Sequence, residues 1–93
     1  MKTKLSTLEK VVDVLNALDI KSEVIINDLV KKGEPVVSIF NSDLYIVVKE
    51  KKNSNNIYFL YEYDEHAKVN NKWLMGSIDI LDITDKIQKY FKK

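Results

Sequence analysis

The chain has 93 residues, 45% apolar and 31% charged, with a net charge of +1 and no cysteine. Such a length fits one domain with a modest core, and the composition is that of a globular chain rather than a disordered one. Without cysteine there is no disulfide framework, no thiolate nucleophile and no Cys-ligated zinc or iron–sulfur centre.

All fifteen basic residues are lysine. An arginine finger is therefore excluded, and sequence-specific DNA reading loses its commonest tool, the forked guanidinium. The many lysines, isoleucines and asparagines suggest an AT-rich coding sequence, as is frequent on viruses and mobile elements. No apolar run approaches the ~18 residues that a membrane span needs. Glu9, Lys10 and Asp13 interrupt the apolar stretch that a signal peptide requires, so the expectation is a cytoplasmic protein without membrane contact.

In chain order, Ser6 and Glu9 form a capping-box pattern that opens a helix over about 6–19, with Leu8, Val11, Val12, Leu15 and Leu18 on its apolar stripe. Residues 22–32 admit two readings. Ser22 can cap a second helix with Val24, Ile25, Leu29 and Val30 inward and Gly33 as its stop, whereas the β-branched trio Val24-Ile25-Ile26 suits a strand. The helix is favoured. Pro35 turns the preceding residue away from helix and marks the change to a β-rich remainder.

From Val36 the period is two. Strands are predicted at 36–40, 44–51, 57–64 and 72–81, with Asn41-Ser42-Asp43 as the first turn. The second of these has Leu44, Ile46 and Val48 on one face and Tyr45 and Val47 on the other, as expected of an interior strand. In the third, Ile57, Phe59, Tyr61 and Tyr63 are assigned to the core, leaving Tyr58, Leu60, Glu62 and Asp64 opposite. In the fourth, Leu74, Ile78 and Ile80 are placed inward, with Gly76 as a bulge. Trp73 and Met75 read as packing residues. A last helix over about 84–92, capped by Asp82 or Thr84, has Ile83, Ile87, Tyr90 and Phe91 as its stripe. The expected fold is a single α+β domain over 1–93: one or two N-terminal helices, a four-stranded antiparallel meander in sequential order and a short C-terminal helix. Helices are expected on one face, leaving Tyr58, Glu62 and Asp64 on the other.

Charge is segregated along the chain: residues 49–56 carry +2, 57–67 carry −3 and 86–93 carry +4. Two surfaces follow. Tyr58, Glu62, Asp64 and Glu65 form an acidic, aromatic strip suited to docking another protein. Lys49, Lys51, Lys52, Lys86, Lys89, Lys92 and Lys93 would suit single-stranded nucleic acid if the hairpin tip and the last helix came together. Glu62, Asp64 and His66 at alternate positions offer a weaker metal-ligand set, as a metal-dependent hydrolase would use. That spacing separates the side chains by ~6.5–7 Å along the strand, wide for one ion.

Two short stretches resemble known families. Glu50-Lys51-Lys52 after an apolar strand resembles the catalytic core of PD-(D/E)xK nucleases, which implies a metal-dependent nuclease. However, Pro35 is followed by Val36 where that family has aspartate, and Lys51 stands where it has an apolar residue. Lys21-Ser22-Glu23-Val24-Ile25 after a helix resembles the second-helix start of ribbon-helix-helix DNA-binding proteins, with Lys2, Lys4 and Leu5 as the strand for the groove. Here the interval from Leu5 to Ser22 is about one helical turn short.

With His66 alone, no nucleophile elbow and only Gly33 and Gly76, neither acyl transfer nor a phosphate cradle is supported. The expected class is a non-enzymatic protein-binding or regulatory module, such as an inhibitor or accessory factor, with no cofactor. A homodimer is compatible with the small core.

Overall fold

The computed structural model describes residues 5–27, 34–51, 55–63 and 72–92. Its first element, α1 (Leu5–Ala17), buries Leu8, Val11 and Leu15 at helical spacing. The helix ends two residues before the predicted boundary, by a mechanism that the residue types conceal. Asp19 adopts φ 64°, the left-handed conformation usually given to glycine and tolerated by aspartate. The Ile20 amide donates to Leu15 O and the Asp19 amide to Asn16 O, both carbonyls that the helix leaves open. Ile20 then packs in the same buried cluster as Leu15, which closes the motif with its apolar contact. Leu18 is exposed rather than part of the stripe.

This reversal feeds straight into a strand, β1 (Ser22–Asn27). The favoured helix is thus corrected over 22–27, while residues 28–32 lie outside the described residues: β-branched Val24, Ile25 and Ile26 lose less rotamer freedom in a strand, and a full ladder to the next strand uses them. Gly33, the proposed stop, lies outside the described residues. Among the described residues there is one N-terminal helix, and the sheet has five strands instead of four.

Four strands follow: β2 (Glu34–Ile39), β3 (Leu44–Lys49), β4 (Ile57–Glu62) and β5 (Lys72–Ser77). They pair antiparallel in the order β1-β2-β3-β4-β5, a sequential meander as expected. Pro35 has no amide to donate, and the β2–β3 ladder covers only Val37↔Ile46 and Ser38↔Tyr45. The predicted turn before β3 is present. Asn41 has φ 61°, and Ser42 Oγ donates to Ile39 O and accepts from the Leu44 amide.

The last element, α2 (Ile80–Phe91), starts four residues before the predicted boundary. Its cap is Asp79, whose Oδ1 accepts from the Leu81 amide at 2.9 Å. Ser77 Oγ accepts from the Asp79 amide and donates to Asp82 Oδ2, so Asp82 braces the cap rather than forming it. Thr84, the other predicted cap, is buried within the helix and donates to Leu81 O. Ile83 and Ile87 are fully buried, while Phe91 of the predicted stripe is exposed. Ile78, expected inward on the fourth strand, is also exposed and follows the end of β5.

Both helices lie on one face of the sheet. Leu8, Val11 and Leu15 of α1 share a cluster with Ile83 and Ile87 of α2 and with Val37, Leu44, Ile46, Val48 and Leu60. The two-sided reading of β3 holds: Tyr45 and Val47 belong to a second cluster on the opposite face, with Val36 and half-buried Ile25, Phe59, Tyr61 and Tyr63. The face assignment of β4 is reversed. Leu60 lies in the helix-covered core and Tyr58 packs against it. Register enforces this, because Ile46 faces Leu60 and Val48 faces Tyr58 across the ladder.

In β5 the irregularity falls at Leu74, not Gly76. Leu60 pairs with Met75 and Tyr61 with Trp73, leaving Leu74 as the extra residue. Leu74 and Met75 therefore both pack toward the helices. Replacing Leu60 with Ala should cost about 2–5 kcal/mol, the range for emptying a fully buried leucine site, read as a lower urea midpoint at unchanged slope.

Candidate functional site

The face of the sheet opposite the helices is aromatic. Because cross-strand neighbours share a face, Tyr45 of β3, Phe59 and Tyr61 of β4 and Trp73 of β5 stand side by side. Tyr45 and Tyr61 stack with centroids 5.4 Å apart and planes 11° from parallel. Lys49 Nζ sits 5.5 Å from the centroid of the Phe59 ring, within cation–π range. Trp73, paired with Tyr61 at the sheet edge, keeps 57% of its surface exposed.

Gly76 gives this face room. A Cβ there would lie 3.0 and 3.1 Å from two ring carbons of Phe59, so the ring occupies the space that a side chain would fill. The residue was legible as special, but its role is close ring approach.

The residues proposed from sequence divide between surfaces. Tyr58 and Glu62 are on the helix side, half-buried. Glu62 Oε2 accepts a 2.6 Å bond from the Tyr90 hydroxyl of α2, which locates the end of α2 over the end of β4. Asp64, Glu65 and His66 lie outside the described residues, as do Lys52 and Lys93.

The two lysine groups do not meet among the described residues. Lys49 is on the aromatic face, and Lys51 follows it at the end of the sheet where α2 begins. α2 runs about 18 Å along the other face, carrying exposed Lys86 near its middle and Lys89 and Lys92 at the far end. Lys89 also pairs with Asp85 at 3.2 Å, both side chains well exposed. Where α1 and α2 both end, Asp19, Ile20, Lys21, Phe40, Asn41 and Phe91 border an open cavity of about 440 Å³, with Ile39 at its base.

The Tyr90 phenol is raised above its ordinary range, chiefly by the hydrogen bond to Glu62, then by burial and the negative charges of Glu62 and Asp43.

Sequence reasoning missed the aromatic face as a surface. The alternation Phe59, Tyr61, Tyr63 was visible, but aromatic size argued for the core, and Trp73 read as packing. No family model matches this chain, and no curated protein or solved structure is significantly similar to it.

Two outcomes test this geometry. Gly76→Ala should destabilise by about 1–3 kcal/mol as an overpacking substitution, and adding Phe59→Leu should recover part of that loss in the same denaturation assay. For Tyr90, a folded-state pKa above the unfolded one means its contribution is complete below the unfolded value near 10 and is lost as pH rises through the folded value. Wild-type stability should therefore fall more steeply above pH ~10 than that of Tyr90→Phe.

Proposed function

We propose that this protein is a non-catalytic docking module that binds another protein through the β4–β5 side of its aromatic face, as a regulatory or accessory factor. The observation that supports this is Trp73: a large side chain more than half exposed, paired with Tyr61 on the face that also holds Phe59. Tryptophan and tyrosine are the side chains that most often dominate protein interfaces, since they bring large contact area at little cost in side-chain entropy.

A stacking platform for single-stranded nucleic acid is the less supported use of the same face. Such platforms present free ring faces beside a basic groove. Here Tyr61 is stacked on Tyr45, Lys49 covers Phe59, and the remaining described lysine cluster lies across the sheet on α2. The mixed polar and aromatic character suits a protein surface better.

The test is affinity capture from the native host with the full chain as bait, comparing wild type, Trp73→Ala and Leu81→Ala. Leu81 is equally exposed but lies at the start of α2. A defined protein should be retained by wild type and Leu81→Ala, and its retention should drop at least tenfold with Trp73→Ala, the effect of losing a hot-spot side chain. Salt-sensitive nucleic acid in place of a protein, or equal retention by all three baits, would overturn the reading.

A further inference from the structure

The two edges of the sheet differ in a way that points to a second copy of the chain. The β5 edge is irregular: it has the Leu74 bulge, Gly76 and Lys72, features that discourage strand addition. The β1 edge has none of them. Its six residues pair with β2 without a register shift, and they include no proline, glycine or lysine.

The backbone groups that this edge presents follow from one hydrogen bond. The Phe40 amide donates to Lys21 O at 2.9 Å, so Lys21 and Phe40 form a hydrogen-bonded pair in line with the ladder. Such pairs alternate with non-bonded ones in an antiparallel ladder. Glu23, Ile25 and Asn27 therefore bond inward to β2, while Ser22, Val24 and Ile26 direct their amides and carbonyls outward. Pro35 opposite Ile26 agrees with this phase, since that pair exchanges no bonds. Among the described residues no backbone bond reaches the outward groups of Val24 or Ile26. Ser22 is buried, Val24 half-buried, and Ile26 is 65% exposed, the most exposed large apolar side chain described.

We infer that the protein forms a two-fold homodimer by antiparallel pairing of β1 with β1, centred on Ile25. In this register Val24 exchanges both backbone bonds with Ile26 of the partner subunit, and Ile26 with Val24 of the partner subunit. The apolar side chains of these pairs meet on the helix side, which covers Ile26. Ile25 meets Ile25 of the partner subunit on the other face. Glu23, the only charged residue in β1, falls opposite neutral Asn27 of the partner subunit. Shifting the two-fold to Glu23 would set two carboxylates against each other. Centring it on Val24 would pair exposed Ile26 with buried Ser22. The resulting ten-stranded sheet leaves both β5 edges and both Trp73 side chains outermost, so dimerisation is independent of the docking proposed above.

The experiment is sedimentation of the full chain from micromolar to near-millimolar concentration, with three variants. Wild type should reach twice the 10.8 kDa chain mass. Ile26→Pro removes an outward amide that β2 does not use, and Ile26→Lys puts a charge into the pairing edge. Each should sediment as a monomer with an unchanged circular dichroism spectrum, and Ile26→Lys decides the matter if the proline variant fails to fold. Because the chain has no cysteine, Ile25→Cys gives a clean register test. At a non-bonded antiparallel pair the two Cα atoms are about 4.5 Å apart, within disulfide reach. Mild oxidation should link Ile25→Cys into a covalent dimer and leave Glu23→Cys unlinked. A wild-type monomer throughout, a species larger than a dimer, a dimer indifferent to Ile26→Lys, or linkage of Glu23→Cys instead of Ile25→Cys would each overturn the proposal.

Discussion

The structure depends on β3 being buried on both faces. Leu44, Ile46 and Val48 sit under the helices while Tyr45 and Val47 anchor the aromatic side, so five consecutive residues are buried. Such a strand cannot slip by one residue, because the shift would exchange an aliphatic set for one carrying a tyrosine ring. Its register then fixes β4, and β4 fixes β5. Only the irregularity at Leu74 relaxes this chain of constraints, and it does so at the outermost strand.

Two different kinds of cover follow. The helix side is mostly aliphatic and is closed by Leu8, Val11, Leu15, Ile83 and Ile87, which interdigitate with the strand residues beneath them. The opposite side is built from rings. Phe59, Tyr61 and Tyr63 are half-buried there, over a smaller group of fully buried residues. Rings lying along the strands shield the backbone while still offering edges and faces outward. The less buried side is the one whose side chains reach the surface, on the face away from the helices.

Much of this architecture was legible in the residues. The amphipathic stripe of α1, the turn at Asn41-Ser42-Asp43 and the two-sided character of β3 all follow from period and turn chemistry. The failures are physical as well. Asp19 ends α1 in a conformation that sequence reading assigns to glycine, so the following segment looked like more helix. The start of α2 was hidden because Asp79, Asp82 and Thr84 are all plausible caps, and the Ser77 hydroxyl decides among them by bonding to the first two. The faces of β4 were exchanged because large rings outweighed one leucine. Leu60 opposite Ile46 shows that the neighbour's register, not side-chain size, chooses the inner face. Of the acidic strip, Tyr58 and Glu62 lie on the helix side for the same reason, and Glu62 has its bond with Tyr90 there. Asp64 and Glu65 lie outside the described residues.

The placement of α2 has a consequence for the order of assembly. All five strands precede it in the chain, yet it supplies the cover over β4 and β5. During folding the meander can pair strand by strand, since each ladder joins neighbours in sequence. Leu60, Leu74 and Met75 nevertheless stay uncovered until residues 80–91 dock. Until then the folding chain carries a paired sheet with half of one apolar side open to other chains. The short, well-capped form of α2, braced by Ser77 and Asp79 beside the end of β5, suits a segment that must nucleate and dock quickly.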